Sequence, residues 1–293
     1  MRRFGAIVLV AAAVASVAAA APARTPTWPE VAAGLRPALD RKSANPCQRG
    51  DLSCLDIVIA AMQRRDAAQA ASCDHRAFFT RLYLRTTQAL RDAVRAGRFH
   101  SGPAIVHFAA WFARLGLQAE DAWQSGHLAD VPGAWQVAFS AEAARRVRSM
   151  GDLLLGMNAH ISRDLAFVVA NVEHGRGTAI DPDFALFTDV IEAKTGPVIT
   201  ELARRFDPAL ALASIPLALG GEKTVGRLVG AWRTEAWRNG IALRNARGAA
   251  RATVAQRIES TAVLRADAIV AATSYLPLVE SSQKRDAYCA AHR

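Results

Sequence analysis

The stretch DLLLGMNAHISRDLAFVVANVEH, running from Asp152 to His174, decides the fold. Wound at 3.6 residues per turn, it carries apolar side chains around most of its circumference, and a helix apolar on nearly every side sits at the centre of its protein. Such a helix needs others to cover it, which predicts a helical bundle. The polar exceptions share one side: His160, Asp164, Asn171 and His174 project within roughly 40° of one direction. Gly156 lies on that side one turn earlier and lets another backbone or a ligand come close.

Helical spacing continues outward from this element. Ser53 and Asp56 resemble a capping box that opens a helix carrying Leu55, Ile59 and Met62 and ending near Ala71. Asp74 can cap the next helix, where Phe78, Leu82, Thr86, Leu90 and Val94 recur at steps of four and Gly97 suits a left-handed C-terminal cap. Pro103 opens a third helix with Ile105, Phe108, Ala109 and Phe112, and His107 and Trp111 stand one turn apart on a neighbouring face. A helix is expected from Ala134 to about Ser149, before the central one. After a loop from Gly175 to Pro182, the pattern predicts helices from Asp183 to Lys194 and from Pro197 to Phe206, separated by the breaker Gly196-Pro197. Two more run near Thr224 to Arg247 and Ala250 to Ser274.

No convincing alternating segment and no internal repeat occurs, so the fold class is all-α, a single-domain bundle of about eight to ten helices. The helical domain spans residues 51–275 and residues 276–293 form a C-terminal tail. Residues 24–50, rich in proline (Pro26, Pro29, Pro37, Pro46), read as an extended lead-in that wraps rather than folds.

Residues 1–23 read as a secretory signal peptide: Arg2-Arg3, an apolar run from Ala6 to Ala21, and cleavage after Ala23 or Ala20. The protein is therefore expected to be exported, either secreted or held in the periplasm or cell envelope. Four cysteines, Cys47, Cys54, Cys73 and Cys289, enter that oxidising compartment and predict two disulfides. A straight helix over residues 53–71 would hold Cys54 and Cys73 about 28 Å apart, too far to bridge. The short turn after Cys47 brings it to Cys54, leaving Cys73 for Cys289.

The formal charge of +10 falls to +8 once Arg2 and Arg3 leave. Such a balance gives weak attraction to anionic envelope lipids or polymers. Nucleic acid is not an expected partner, because no zinc-finger spacing, basic zipper or aromatic RNA-binding motif accompanies the charge. There is also no G-x-S-x-G elbow, phosphate-binding loop or H-E-x-x-H motif.

The chemistry then rests on the polar face of the central helix. An imidazole and a carboxylate at i and i+4 suit two ligands of one metal, and an ionised carboxylate on an apolar helix needs a cation, a metal or hydrogen-bond donors. His160, Asp164 and Asp183 are the candidate ligands of a divalent metal, with His174 or His107 as a further ligand or general base. Asn158, Asn171, Tyr83, Arg233 and Trp237 are the candidate supporting polar network, with Arg233 packed on Trp237 and Arg233 or Arg238 as counter-charge to Asp164. Arg85 and Glu259 are further candidates for that interior.

Gly156-Met157-Asn158-Ala159-His160-Ile161, followed by Asp164-Leu165, resembles the exported helical proteins grouped as domain-of-unknown-function family 5995. The likeness runs from Phe78-Phe79, Leu82-Tyr83 and Thr86 through Trp135, Ala138, Phe139 and Asp183-Phe184 to Trp232, Arg233 and Trp237. The chain departs at Ser162, where asparagine is usual, and at Phe187-Thr188, where an aliphatic residue and asparagine are usual. The resemblance implies a helical fold and points again to His160, Asp164 and Asp183; it implies no activity.

Two functions are compatible with these residues. One is an extracytoplasmic metal-dependent, hydrolase-like enzyme in which the metal activates water. The other is a non-catalytic envelope protein whose polar residues form a satisfied core beside a cavity for a small molecule or lipid-like ligand.

Overall fold

The structure, a computed structural model, describes residues 26–172, 181–216, 224–276 and 278–292. The expected signal peptide and the candidate His174 lie outside the described residues. Among those described, the chain is an all-α bundle with no strand, only an isolated antiparallel bridge between Val147 and Ser274.

The chain opens with α1 (Trp28–Ala33), α2 (Pro46–Arg49) and α3 (Leu52–Ala71), followed by α4 (Ala77–Arg95) and α5 (Gly102–Gln124). Next come α6 (Gly133–Ala143), α7 (Ser149–Met157), a π-helical segment (Asn158–Leu165) and α8 (Ala166–Asn171). The last four are α9 (Pro182–Arg205), α10 (Val225–Asn245), α11 (Gly248–Thr273) and α12 (Gln283–His292).

From Ser149 to Asn171 the helix is continuous and is the only one among the described residues long and apolar enough to cross a membrane. It is instead the axis of the bundle, covered by α4, α5, α6, α10 and α11, with Leu153, Leu154, Leu155, Leu165, Val168 and Val169 fully buried. Its middle eight residues adopt π rather than α geometry. A wider turn of this kind is found preferentially at functional sites. It also shifts the angular register, so a projection at a constant 3.6 residues per turn misplaces the residues C-terminal to it. Asn171, expected on the His160 face, is exposed and hydrogen-bonded to the Phe167 carbonyl.

Several boundaries depart from the periodic reading. The lead-in folds: Trp28 and Leu35 are buried, and Pro29 and Pro46 occupy the first turns of α1 and α2, where the missing N–H has no helical partner to lose. Helix α3 starts after Asp51 without the expected Ser53–Asp56 box. Helix α6 ends at Ala143, before Arg145 takes a positive φ of 50°. Helix α9 runs straight through Gly196-Pro197. Both residues are exposed, and the glycine has no Cβ to clash with the proline ring, which removes much of the usual bar to helix before proline. Gly97 does adopt φ 67° just beyond α4, as expected of a left-handed cap.

Both disulfides pair as the helix geometry requires, Cys47 with Cys54 and Cys73 with Cys289, at Cα separations of 4.8 Å and 5.9 Å. They accord with an oxidising, extracytoplasmic environment. The C-terminal tail ends in α12, where Arg285 lies over the Phe78 ring and donates to the Cys73 carbonyl.

Candidate functional site

His160 and Asp164 project from the π-helical segment into the bundle, 2% and 0% exposed. Asp164 Oδ2 lies 3.1 Å from His160 Nδ1 and accepts from Trp135 Nε1 at 2.9 Å, while Oδ1 accepts from Arg163 Nη1 at 2.8 Å. The counter-charge is therefore the adjacent Arg163, not Arg233 or Arg238. Arg163 is itself shared with Glu259, 2.8 Å from Nε. With Trp135 and Arg163 both donating, the carboxyl acts as an acceptor toward His160, which places the imidazole hydrogen on Nδ1 and leaves Nε2 with its lone pair.

Aromatic rings fix the imidazole. Phe112 stacks on it at 3.6 Å and 8°, Tyr83 lies 4.4 Å away, and Phe79 meets its edge at 5.7 Å. Two glycines make this approach possible. A Cβ on Gly116 would stand 3.1 Å from His160 Nδ1, and one on Gly156 would stand 2.4 Å from Phe79 Cγ. Gly156 thus admits a neighbouring ring. Burial lowers the His160 pKa, against the opposing pull of Asp164, and the Arg233 charge lowers it further. Burial, then the Asp164 charge, push the Tyr83 phenol well above its ordinary value.

His160 Nε2 is buried without a hydrogen-bond partner among the described residues, and the His160 side chain lines a small cavity. Arg233, 1% exposed, lines the same space along with Tyr83, Thr86, Thr87 and a set of apolar side chains. Its Nε donates to Thr188 Oγ1 at 2.9 Å, and its guanidinium lies 4.7 Å and 4.6 Å from the Phe184 and Phe187 ring centres. Trp237 packs on Phe184 rather than lining the cavity. Thr188 and Phe187 thus both hold Arg233.

The remaining candidates lie elsewhere. Asp183 accepts from the backbone N–H groups of His100 and Ser101 at 2.9 Å and 2.8 Å, capping the start of α5. His107 Nε2 and Trp111 Nε1 both contact the Arg36 carbonyl, fastening the lead-in. Asn158 donates to the Ala262 carbonyl on α11. Arg85 pairs with Glu201. Among the described residues no three His, Cys, Asp or Glu side chains are grouped so that they could hold a metal ion. A metal on His160 Nε2 would find Asp164 on the far nitrogen, as the group that orients the ring rather than as a ligand. It would share its cavity with a guanidinium.

The sequence reading missed Arg163, Phe79, Phe112, Thr188 and Glu142. Arg163 carried its adjacency to Asp164, Phe112 its place on a periodic apolar face, and Phe79 and Thr188 their place in the resemblance; Glu142 carried no signal. Glu142 lines a second small cavity with Arg76, Glu120, Phe79, Tyr83 and Trp135, and its Oε2 is buried without a partner. Burial, then the charges of Asp152 and Asp74, raise its pKa well above the ordinary value, with Arg76 opposing. A carboxyl shifted upward on folding contributes stability that is full below its unfolded pKa and lost as pH rises toward the folded one. Glu142→Gln imitates the protonated acid. It is expected to raise the urea midpoint above wild type at about pH 8 and leave it unchanged at about pH 4; equal shifts at both would show that Glu142 does not hold its proton.

Fold and site together define a class: an all-α protein whose central helix presents a carboxylate-oriented imidazole to a small cavity. Residues 55–272 match a family of unknown function, DUF5995, and the chain belongs to that family. No curated protein and no solved structure matches the chain.

Proposed function

We propose that the protein is an exported, hydrolase-like enzyme in which His160 is the general base. The observation that carries this reading is the asymmetric imidazole, with Nδ1 held by Asp164 and Nε2 unpartnered at a cavity wall. A base oriented by a carboxylate is the recurring arrangement for activating a nucleophile; the Thr86 and Thr87 hydroxyls in the cavity lining are committed to the Leu82 and Tyr83 carbonyls, which favours water as that nucleophile. His160 Nε2 takes a proton from water, the oxygen bonds to the electrophilic centre, and the leaving group departs with the proton. Water is thereby added across the cleaved bond.

The test is a panel of nitrophenyl esters and phosphate esters with wild type and His160→Gln, which keeps a hydrogen-bonding side chain facing Asp164. Turnover should fall by about 10²–10⁴-fold in the variant with far-UV helicity intact. The wild-type acid limb should lie below the ordinary histidine pKa, because the base stays deprotonated there. A wild type inert across the panel would sink the catalytic reading and favour the non-catalytic one, in which the apolar cavity holds a small or lipid-like ligand, a reading supported by the satisfied Arg163–Asp164–Trp135 network.

A further inference from the structure

Arg233 is a buried cation whose two terminal nitrogens, Nη1 and Nη2, have no hydrogen-bond partner among the described residues. A buried charge left without partners is strongly destabilising, and an apolar side chain of similar volume would usually serve the fold better. The residue is nevertheless held with care. Thr188 takes its Nε, and Phe184 and Phe187 lie against the guanidinium. These contacts occupy Nε and the faces of the guanidinium and leave Nη1 and Nη2 without partners, on a side chain that lines the same cavity as His160. Burial lowers its pKa to about 9 against the raising effect of Tyr83 and Glu192, so it remains charged at neutral pH.

Resting on the catalytic reading above, we propose that Arg233 anchors the carboxylate of the molecule on which His160 acts, and that this molecule is a short-chain monocarboxylate derivative. A guanidinium presents paired N–H groups that match the two oxygens of a carboxylate. The cavity lining brings one cation and no carboxylate, and Glu192 already acts on that cation from outside the lining, so a single negative charge suits the space better than a phosphate dianion. Its remaining walls, including Leu82, Ile161, Ile191 and Val229, suit a short apolar chain. The space is small, which sets the carboxylate and the reacting centre within a few atoms of each other.

Calorimetric titration of the full-length protein with butyrate, inorganic phosphate and 1-butanol tests the assignment. Butyrate should bind, and phosphate and butanol should bind at least about tenfold more weakly, the range expected for hydrogen bonds to a charged group. Arg233→Met should lose butyrate at least about tenfold while melting at or above the wild-type temperature, since it removes an unpaired buried charge. Arg233→Lys, which keeps the charge without the fork, should fall between them and serves if the methionine variant does not fold. Butyrate failing to bind wild type, or binding wild type and both variants alike, would overturn the proposal, as would tighter binding of phosphate. His160→Gln separates this inference from the catalytic one: it should still bind butyrate. Butyrate binding without turnover would leave the anchor standing and the enzyme reading fallen, while turnover of uncharged esters unaffected by Arg233→Met would do the reverse.

Discussion

Asp164→Ala is expected to destabilise the protein by about 3 kcal/mol, the lower end for breaking a buried ionic network. The carboxylate is fully buried and serves three donors, so its loss strands the Trp135 indole N–H, frees the imidazole and leaves Arg163 with Glu259 as its one carboxylate partner, beside the Phe167 ring. The surviving Glu259 contact is the reason for choosing the lower end. Asp164→Asn should also destabilise, although its shape is conserved. An amide has one acceptor, and the site offers donors to both oxygens, so either Arg163 or the Trp135 and His160 side faces an NH₂ group. Urea unfolding followed by far-UV circular dichroism measures both variants. A loss under about 1 kcal/mol for alanine would mean that the network contributes no more than an ordinary hydrogen bond.

The central helix is legible in the sequence because its composition leaves no solvent face. Burial on every side is a property of the residues alone, and it implies both the bundle and the anomaly of a carboxylate inside it. The identity of the partners is not legible in the same way. Arg163 is the nearest cation in sequence, yet the π-helical turn that aims it at Asp164 has no local signature in Asn158–Leu165. Trp135 reaches Asp164 from α6, a contact that only the packing of two helices creates. Asp183 shows the opposite error. Closeness in sequence to the central helix groups it with His160, but the start of α5 competes for it with two backbone N–H groups, and the helix terminus wins. The expectation that proline interrupts helices fails for a related reason. Pro29 and Pro46 open helices, and Pro197 lies within one on its exposed face, so the residue's meaning depends on position and exposure that sequence does not contain.

Removing the Cys73–Cys289 bond as a serine pair should lower stability by about 5 kcal/mol, against about 2 kcal/mol for the Cys47–Cys54 pair. The inequality comes from loop length. The first bond closes 216 residues of chain and the second only 7, and the entropy withdrawn from the unfolded ensemble grows with the logarithm of the closed loop. Both bonds are buried in the folded state, so the packing lost on cutting either is similar in kind and the difference arises in the unfolded chain. Other contacts keep α12 docked without the long bond: Arg285 on the Phe78 ring and the Cys73 carbonyl, and Asp286 facing His75 Nε2 at 3.4 Å. The Cys73→Ser/Cys289→Ser protein should therefore stay folded with native helicity while its urea midpoint falls well below that of Cys47→Ser/Cys54→Ser. Equal midpoints, or the larger loss in the short-loop variant, would show that local packing rather than chain entropy sets the worth of these bonds.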